Sequence, residues 1–306
     1  MSPLVSICIP AYNQTDKLKF LLDSIRTQTF RDFEVIISDD SNCDNVAILC
    51  ADYKDLPILY YRNQQSKGTP ENWNHAISLA NGIWIKLMHH DDYFTNADAL
   101  LDFINFSNLH PSADYIFCNT KLSRLESGNL IVSDYIVDQA ILKKIKNHSA
   151  YLFPKNIMGS PSIGIHRKTM NVDFDKKLQW LVDVEYFIQI LRNFNVFHIN
   201  KPLIATIISK EQLSYRMSYN PDFELYELVY CYNKLSGKYD ANNRKIMRMR
   251  FIFFVNEFKL YRINQIKKHT KELSLPMFIK VFSVLASVNI KMANSLFYRL
   301  NTYQLK

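Results

Sequence analysis

The sequence predicts an α/β fold: a mostly parallel central sheet flanked by helices, with a helical appendage towards the C-terminal end. Three observations predict it. Short apolar, β-branched runs alternate with helical spacings through the first part of the chain. Polar clusters directly follow three of those runs: "PAYNQ" (10–14), "DDS" (39–41) and "HHDD" (89–92). Open parallel sheets bind ligands at just such places, outside the carboxyl ends of strands. From about Phe223 onward the pattern is almost wholly helical.

Each element has a local reason. "LVSICI" (4–9) is a short apolar, β-branched run, consistent with a buried parallel strand. Over Asp16–Gln28, Leu18, Leu21, Leu22 and Ile25 recur at i, i+3, i+4, i+7, which makes an amphipathic helix. "FEVIIS" (33–38) is a second strand, a helix covers about Val46–Tyr53, and "ILYYR" (58–62) is a third strand. "TPENWNHAISLA" opens a helix with Thr69 as N-cap and Pro70 at the first helical position, and Gly82 ends it. Ile83–Met88 is a fourth strand that runs into the two histidines. A helix over Asn96–Leu109 and a strand at "DYIFCNTKL" follow. Further on, "NIMGSPSIGIHRK" (156–168) reads as a loop entering a strand. "QWLVDVEYFIQILRNF" (179–194) is a helix with Leu181, Val184, Phe187, Ile188 and Leu191 on one face, and "VFHINKPLIATII" supplies one or two strands.

Composition narrows the function classes. The 306 residues are 48% hydrophobic, enough for one large domain or a domain with an appendage. The five cysteines form no C-x-x-C pair, so they read as reduced thiols of a cytosolic protein. The start lacks the pattern of a signal peptide, and no run reaches the roughly 18 apolar residues of a membrane span. Six glycines make no G-x-G-x-x-G, and "GSPSIG" (159–164) is not followed by Lys and Ser/Thr. Both common glycine-rich phosphate cradles are thus excluded. Residues 241–306 carry thirteen Lys/Arg against two Asp/Glu, a net +11, which leaves −3 for residues 1–240 of a chain of net +8. A basic region with aromatics points to a polyanionic partner, nucleic acid or an anionic membrane.

The clusters carry the chemistry. Carboxylates after a buried strand suit Mg²⁺ or Mn²⁺, with phosphates completing the shell, and His89 adds a nitrogen ligand that Mn²⁺ accepts more readily. "HHDD" by itself fits this reading and equally a packed strand end with its turn capped. A carboxylate in "SDDS" (38–41) can accept from a nucleobase or close an Asx-turn. Tyr12 can stack on a base or simply pack. Asp183 and Glu185, early in a helix, suit a general base or the helix dipole.

Together these segments resemble glycosyltransferase family 2, the inverting nucleotide-sugar transferases with the GT-A fold. The resemblance rests on "VSICIPAYNQTDKLKFLLDSIRTQTFRDFEVIISDDS" (5–41), on "ENWNHAISLANGIWIKLMHHDD" (71–92), and on "GSPSIGIHRK" and "WLVDVEYF" as acceptor-side segments. It covers about residues 4–215 and implies a GT-A domain over 1–220, with a basic amphipathic helical region over 221–306. It implies that Pro10, Tyr12 and Asp40 hold base and ribose, with Asn13 beside them, Asp39 supporting the turn, and Asn72 and Asn74 helping to hold the nucleotide. The family's D-x-D motif is altered: His89 replaces its first aspartate, His90 is the middle residue and Asp91 is the retained one. The implied metal ligands are Asp91 and His89, and the implied ion is Mn²⁺ or Mg²⁺. Asp183 matches the catalytic base. Asp92, Gly159, Ser160, Pro161, Trp180 and Glu185 fall on the acceptor side.

The implied reaction inverts the anomeric carbon as a sugar passes from a nucleotide-sugar, a UDP-sugar foremost, to a saccharide or lipid-linked saccharide. Such a transferase builds surface polysaccharide: capsule, O-antigen or lipopolysaccharide. The replaced first aspartate also admits a degenerate, membrane-associated binding partner. A nucleotidyltransferase would show a glycine-rich loop after the first strand, and "PAYNQTDK" has none. The basic helices read as a surface for an anionic membrane, which places the chain peripherally at the inner face of the cell membrane; nucleic acid is disfavoured, since no recognised module accompanies the charge.

Overall fold

The computed structural model describes residues 2–126, 129–208 and 220–301. They form two compact units. One holds the chain up to 139, then 158–179, then 189 to Ile208; the other holds 140–157, 180–188 and the described residues from 220 on. The helical unit therefore takes two earlier segments besides the region beyond 220 that the sequence sets apart.

The first unit is built on a nine-stranded sheet. In chain order its elements begin β1 (Val5–Ala11), α1 (Thr15–Arg26), β2 (Phe33–Asp39), α2 (Asn45–Ala51), β3 (Ile58–Arg62), α3 (Glu71–Ser78) and β4 (Trp84–Leu87). Then come β5 (Asp92–Phe94), α4 (Ala99–Leu109), β6 (Tyr115–Glu126), β7 (Asn129–Tyr135), β8 (Gly164–Arg167) and β9 (Val196–Ile208). The order across the sheet is β3-β2-β1-β4-β8-β6-β9-β5, with β7 pairing to β6. β3, β2, β1 and β4 run parallel, as the alternating pattern predicts. Beyond β4 the pairing turns antiparallel at β8, β7 and β5, so the sheet is mixed.

Every residue of β1 and β2 is buried, so both are largely apolar, and the polar Ser6 and Glu34 bond each other across the pair. Leu18, Leu21, Leu22 and Ile25 of α1 are buried, each such burial worth about 1.5–3 kcal/mol. Two local expectations change. α3 begins at Glu71 with no side-chain cap from Thr69; the turn entering it closes instead through Asn72 N to Gly68 O at 2.8 Å. Gly82 does not terminate α3, which ends at Ser78; a Cβ there would meet Ser6 N at 2.6 Å, so the residue is glycine because β1 passes against it. "VFHINKPLIATII" forms a single strand, with register shifts on β6 around Asn119, opposite Pro202. Pro202 has no N–H to give the ladder, so the pairing must slip there.

The second unit is helical: α5 (Gln139–Asn147), α7 (Pro221–Leu235), α8 (Ala241–Glu257), α9 (Ile263–Thr270), α10 (Met277–Val288) and α11 (Ile290–Asn301). α6 (Val182–Asn193) starts among its residues and ends among those of the first. α7 is capped by the Asn220 side chain with Pro221 in its first turn, and α8 by Asp240 accepting from Asn243 N at 2.7 Å. Phe251, Phe254, Phe282 and Phe297 are buried in this unit's core. All five cysteines are free, four of them buried. Among the described residues no helix is long and apolar enough to cross a membrane.

Candidate functional site: two aspartate corners at the strand ends

The carboxyl ends of β1, β2 and β4 lie side by side, because β1 pairs with both β2 and β4. At the end of β2, Asp39 is fully buried. One of its oxygens accepts from Ser41 N at 2.8 Å, closing an Asx-turn, and the other from the Tyr60 hydroxyl at 2.7 Å. Burial and that hydrogen bond push the Tyr60 phenol up to about 12. Asp40 accepts from Asn63 Nδ2 at 2.7 Å, Lys67 N at 3.1 Å and Gly68 N at 2.8 Å. Both carboxylates thus have protein donors.

Pro10 is buried at the end of β1, while Tyr12 just beyond it is 53% exposed, free to offer its ring face. Asn13 adopts φ +59°, a left-handed conformation asparagine tolerates, and its N–H bonds Ser41 Oγ at 2.8 Å. This ties the "PAYN" turn to the "DDS" turn. Asn72 lies in the expected place, but its amide serves the protein: it donates to Ser38 O at 3.0 Å and accepts from Ser38 Oγ at 2.6 Å. Asn74 likewise makes a double bond pair with the Phe174 backbone, at 2.8 and 2.9 Å. Phe174 packs edge-on against Trp73, and Trp73 covers the His89 ring at a centroid distance of 4.3 Å. Asn74 therefore acts on the neighbouring corner through two aromatic rings.

That corner is the turn from β4 to β5. His89, Asp91 and Asp92 each place a ligand atom within 4.8 Å of the others. Asp92 N bonds His89 O at 3.0 Å, and Asp92 opens β5 opposite Thr206 of β9. These two constraints fold its carboxylate back beside His89, with Nδ1 to Oδ2 at 4.0 Å. Asp92, which the sequence reading counted on the acceptor side, thus lies in the same cluster as His89 and Asp91. Its side chain is fully buried, and burial with the neighbouring Asp91 charge raises its carboxyl above the usual range. Burial lowers the His89 imidazole, which is thereby held neutral, as a ligand must be. His89 Nε2 is buried and has no hydrogen-bond partner among the described residues. A buried imidazole nitrogen without a proton partner, beside two carboxylates, is a donor set that fits Mn²⁺ or Mg²⁺. His90 is partly buried as well, and burial lowers its imidazole too.

The segment 159–164 supports this corner. Gly159 takes φ +105°, a conformation other residues rarely adopt. Pro161 then opens a short 3₁₀ turn. Ser160 Oγ donates to Asp92 Oδ2 at 2.9 Å, and His89 N donates to Ser162 Oγ at 2.9 Å. Underneath lies Lys86, fully buried in β4. Its ammonium donates to the Ser162 carbonyl and to Gly164 O at 3.2 Å, and burial lowers it to about 8. Ser162 and Lys86 were missed from sequence. The lysine inside an otherwise apolar strand was the available signal, since a buried ammonium needs fixed acceptors.

Asp183 lies half-buried in the first turn of α6. The N-terminus of α6 is held by Glu227 of α7, whose carboxylate accepts from Trp180 N at 3.0 Å and Leu181 N at 2.7 Å. The Arg250 guanidinium lies 5.5 Å over the Trp180 ring. Glu185 has a fully buried side chain paired to Lys234 at 2.8 Å. It is therefore part of the helical unit's internal charge network, which the sequence reading did not see.

An α/β sheet with an aspartate turn at one parallel strand end and a His–Asp–Asp cluster at another has the layout of the GT-A fold. The chain belongs to Glycosyl transferase family 2, whose family model matches residues 6–158. An uncharacterized glycosyltransferase of Haemophilus influenzae is 27% identical over 207 residues, 65% of this chain and 67% of that one. The Escherichia coli UDP-Glc:alpha-D-GlcNAc-diphosphoundecaprenol beta-1,3-glucosyltransferase is 29% identical over 159 residues, 46% of this chain and 63% of that one. Matched stretches thus span about two thirds of these relatives' length. A fragment of S. aureus TarS solved with UDP-GlcNAc superposes with a TM-score of 0.69 at 17% identity, covering 99% of this chain and 93% of that chain, and shows the shared fold.

Proposed function

We propose that the chain is an inverting transferase that moves a sugar from a UDP-sugar to a saccharide or lipid-linked saccharide during surface polysaccharide assembly, at the inner face of the cell membrane. The observation that carries this reading is the His89–Asp91–Asp92 cluster on the strand next to the "PAYN" and "DDS" turns. The E. coli relative, which by its name uses UDP-Glc and a lipid-diphosphate acceptor, supports the choice of donor and acceptor.

In this reading Tyr12 stacks on the base. Asp40 holds the 63–68 loop that borders the nucleoside, with Asp39, Asn72 and Asn13 fixing the turns around it. Asn74 and His90 keep the diphosphate corner in place. Asp91, with His89 and Asp92, would hold one divalent cation, Mn²⁺ or Mg²⁺, which would offset the negative charge on the departing diphosphate. Asp183, by its match to the family's acidic segment, takes the proton from the acceptor hydroxyl. The freed oxygen attacks the anomeric carbon opposite the leaving group, and the configuration inverts. Gly159, Ser160 and Pro161 border the acceptor, Ser160 also serving the cation corner, and Trp180 counts on the acceptor side by its match to the family's segment.

The test is a screen of nucleotide-sugars for metal-dependent hydrolysis or transfer, with Asp91→Ala and Asp183→Asn as controls. Both variants should lose activity by at least about a hundredfold. Stabilisation by UDP with Mn²⁺ but no turnover on any donor would favour a binding-only protein instead. Unchanged turnover in Asp183→Asn would remove that residue as the base.

A further inference from the structure

The helical unit ends in a pair of helices whose outer surface is apolar. α10 buries Ile279, Phe282, Ser283 and Ala286, with Ser283 Oγ bonded to Tyr261 O at 2.8 Å. Its opposite face carries Met277, Val281, Val284 and Val288, 71%, 43%, 64% and 80% exposed. Their spacing of 4, 3 and 4 residues is that of a single helical stripe, so the whole length of α10 presents hydrocarbon outward. A shallow groove of about 260 Å³ runs along it, lined by Lys280, Val281, Val284 and Leu285. In α11, Ala293 and Phe297 are buried while Met292, Leu296 and Leu300 are exposed. Monomeric surfaces rarely leave such stripes uncovered.

The charges say what covers them. From Leu273 to Asn301 there is no acidic residue, and Lys280, Lys291 and Arg299 are exposed on the same two helices. α9 adds exposed Lys267 and Lys268. A second copy docked on this face would bring like charges together. An anionic bilayer supplies both complements, hydrocarbon for the valines and phosphate for the lysines. A twelve-residue helix is about 18 Å long, too short to cross a core of about 30 Å, but suited to lying in the interface.

We propose that the outer face of α10 and α11 is a docking surface for an anionic lipid bilayer, seated through the Met277–Val281–Val284–Val288 stripe. This deepens the membrane placement in the proposed function and rests on it, but vesicle binding needs no donor sugar and turnover needs no vesicle, so each can fail without the other.

The full chain, without nucleotide-sugar, is pelleted with vesicles of phosphatidylcholine alone or with about one third phosphatidylglycerol. Wild type should partition onto the anionic vesicles at least about tenfold better than onto the neutral ones. Val284→Asp with Val288→Asp, at exposed positions, should keep the wild-type melting temperature yet lower that partition at least about tenfold. Lys280→Glu with Lys291→Glu should remove the preference for phosphatidylglycerol. The proposal is overturned if wild type stays in the supernatant with both vesicles, or if the aspartate pair pellets like wild type. It is equally overturned if wild type is a dimer that the aspartate pair splits and that binds no vesicle.

Discussion

The two aspartate pairs of the sheet, Asp39–Asp40 where β2 ends and Asp91–Asp92 where the β4–β5 turn enters β5, look alike in sequence and differ in their surroundings. The first pair is satisfied from within. Its carboxylates accept from Ser41 N, Tyr60, Asn63, Lys67 N and Gly68 N, and what they accomplish is the shape of two turns. The second pair is gathered with His89 into a cluster where the imidazole Nε2 has no partner among the described residues. Asp92 too has a donor, Ser160 Oγ, so the difference lies in the imidazole nitrogen: a buried nitrogen with nothing to bond suits a ligand in a way a bonded carboxylate does not. Position after a strand is thus insufficient to assign a role; the hydrogen-bond inventory separates the two.

The comparison can be broken by exchanging measurements between the corners. Its largest consequence is a crossed outcome. Asp91→Ala should abolish Mn²⁺-dependent donor turnover by at least about a hundredfold while shifting the melting temperature little. Asp40→Ala strands two backbone N–H groups and an amide, so it should cost about 2 kcal/mol of stability by denaturant unfolding. Equal thermal loss in both variants would erase the distinction. A smaller effect is expected at Ser160, which touches the cation corner only through Asp92. Ser160→Ala should raise the Mn²⁺ concentration needed for half-maximal activity by about tenfold, with turnover at saturating metal retained. The smallest is a proton count at the saturated corner. The Tyr60 phenol is raised to about 12, by burial first and by its bond to Asp39 second. A phenol raised in the folded state stabilises the fold fully below its ordinary value near 10. That contribution is lost as pH climbs from there through the folded value. NMR of ring-labelled tyrosine should place the midpoint near 12 in wild type and lower in Asp39→Asn. An unchanged midpoint would mean that Asp39 does not carry part of the shift.

The parallel half of the sheet was legible because its strands are buried on both faces and its helices show one apolar stripe, both periodic signals. The antiparallel half was less so: β5 has three residues and β7 pairs at the side of β6, too little for period or composition to register. At the site, the sequence placed Pro10, Tyr12, Asp39, Asp40, His89 and Asp91 at strand ends that do adjoin. It could not tell that Asn72 and Asn74 spend their amides on Ser38 and Phe174, or that Asp92 folds back onto His89. Glu227, which holds the N-terminus of the helix bearing Asp183, lies 47 residues from Trp180, beyond any local pattern.

What the sequence determined by itself was the set of elements and the places where chemistry gathers, since strand burial, helix periodicity and turn polarity are encoded within a few residues. The tertiary structure alone decided which of those polar groups are already satisfied. Satisfaction depends on donors brought from elsewhere in the chain, and only the folded backbone sets whether Lys67 N, Ser160 Oγ or nothing at all meets a given atom.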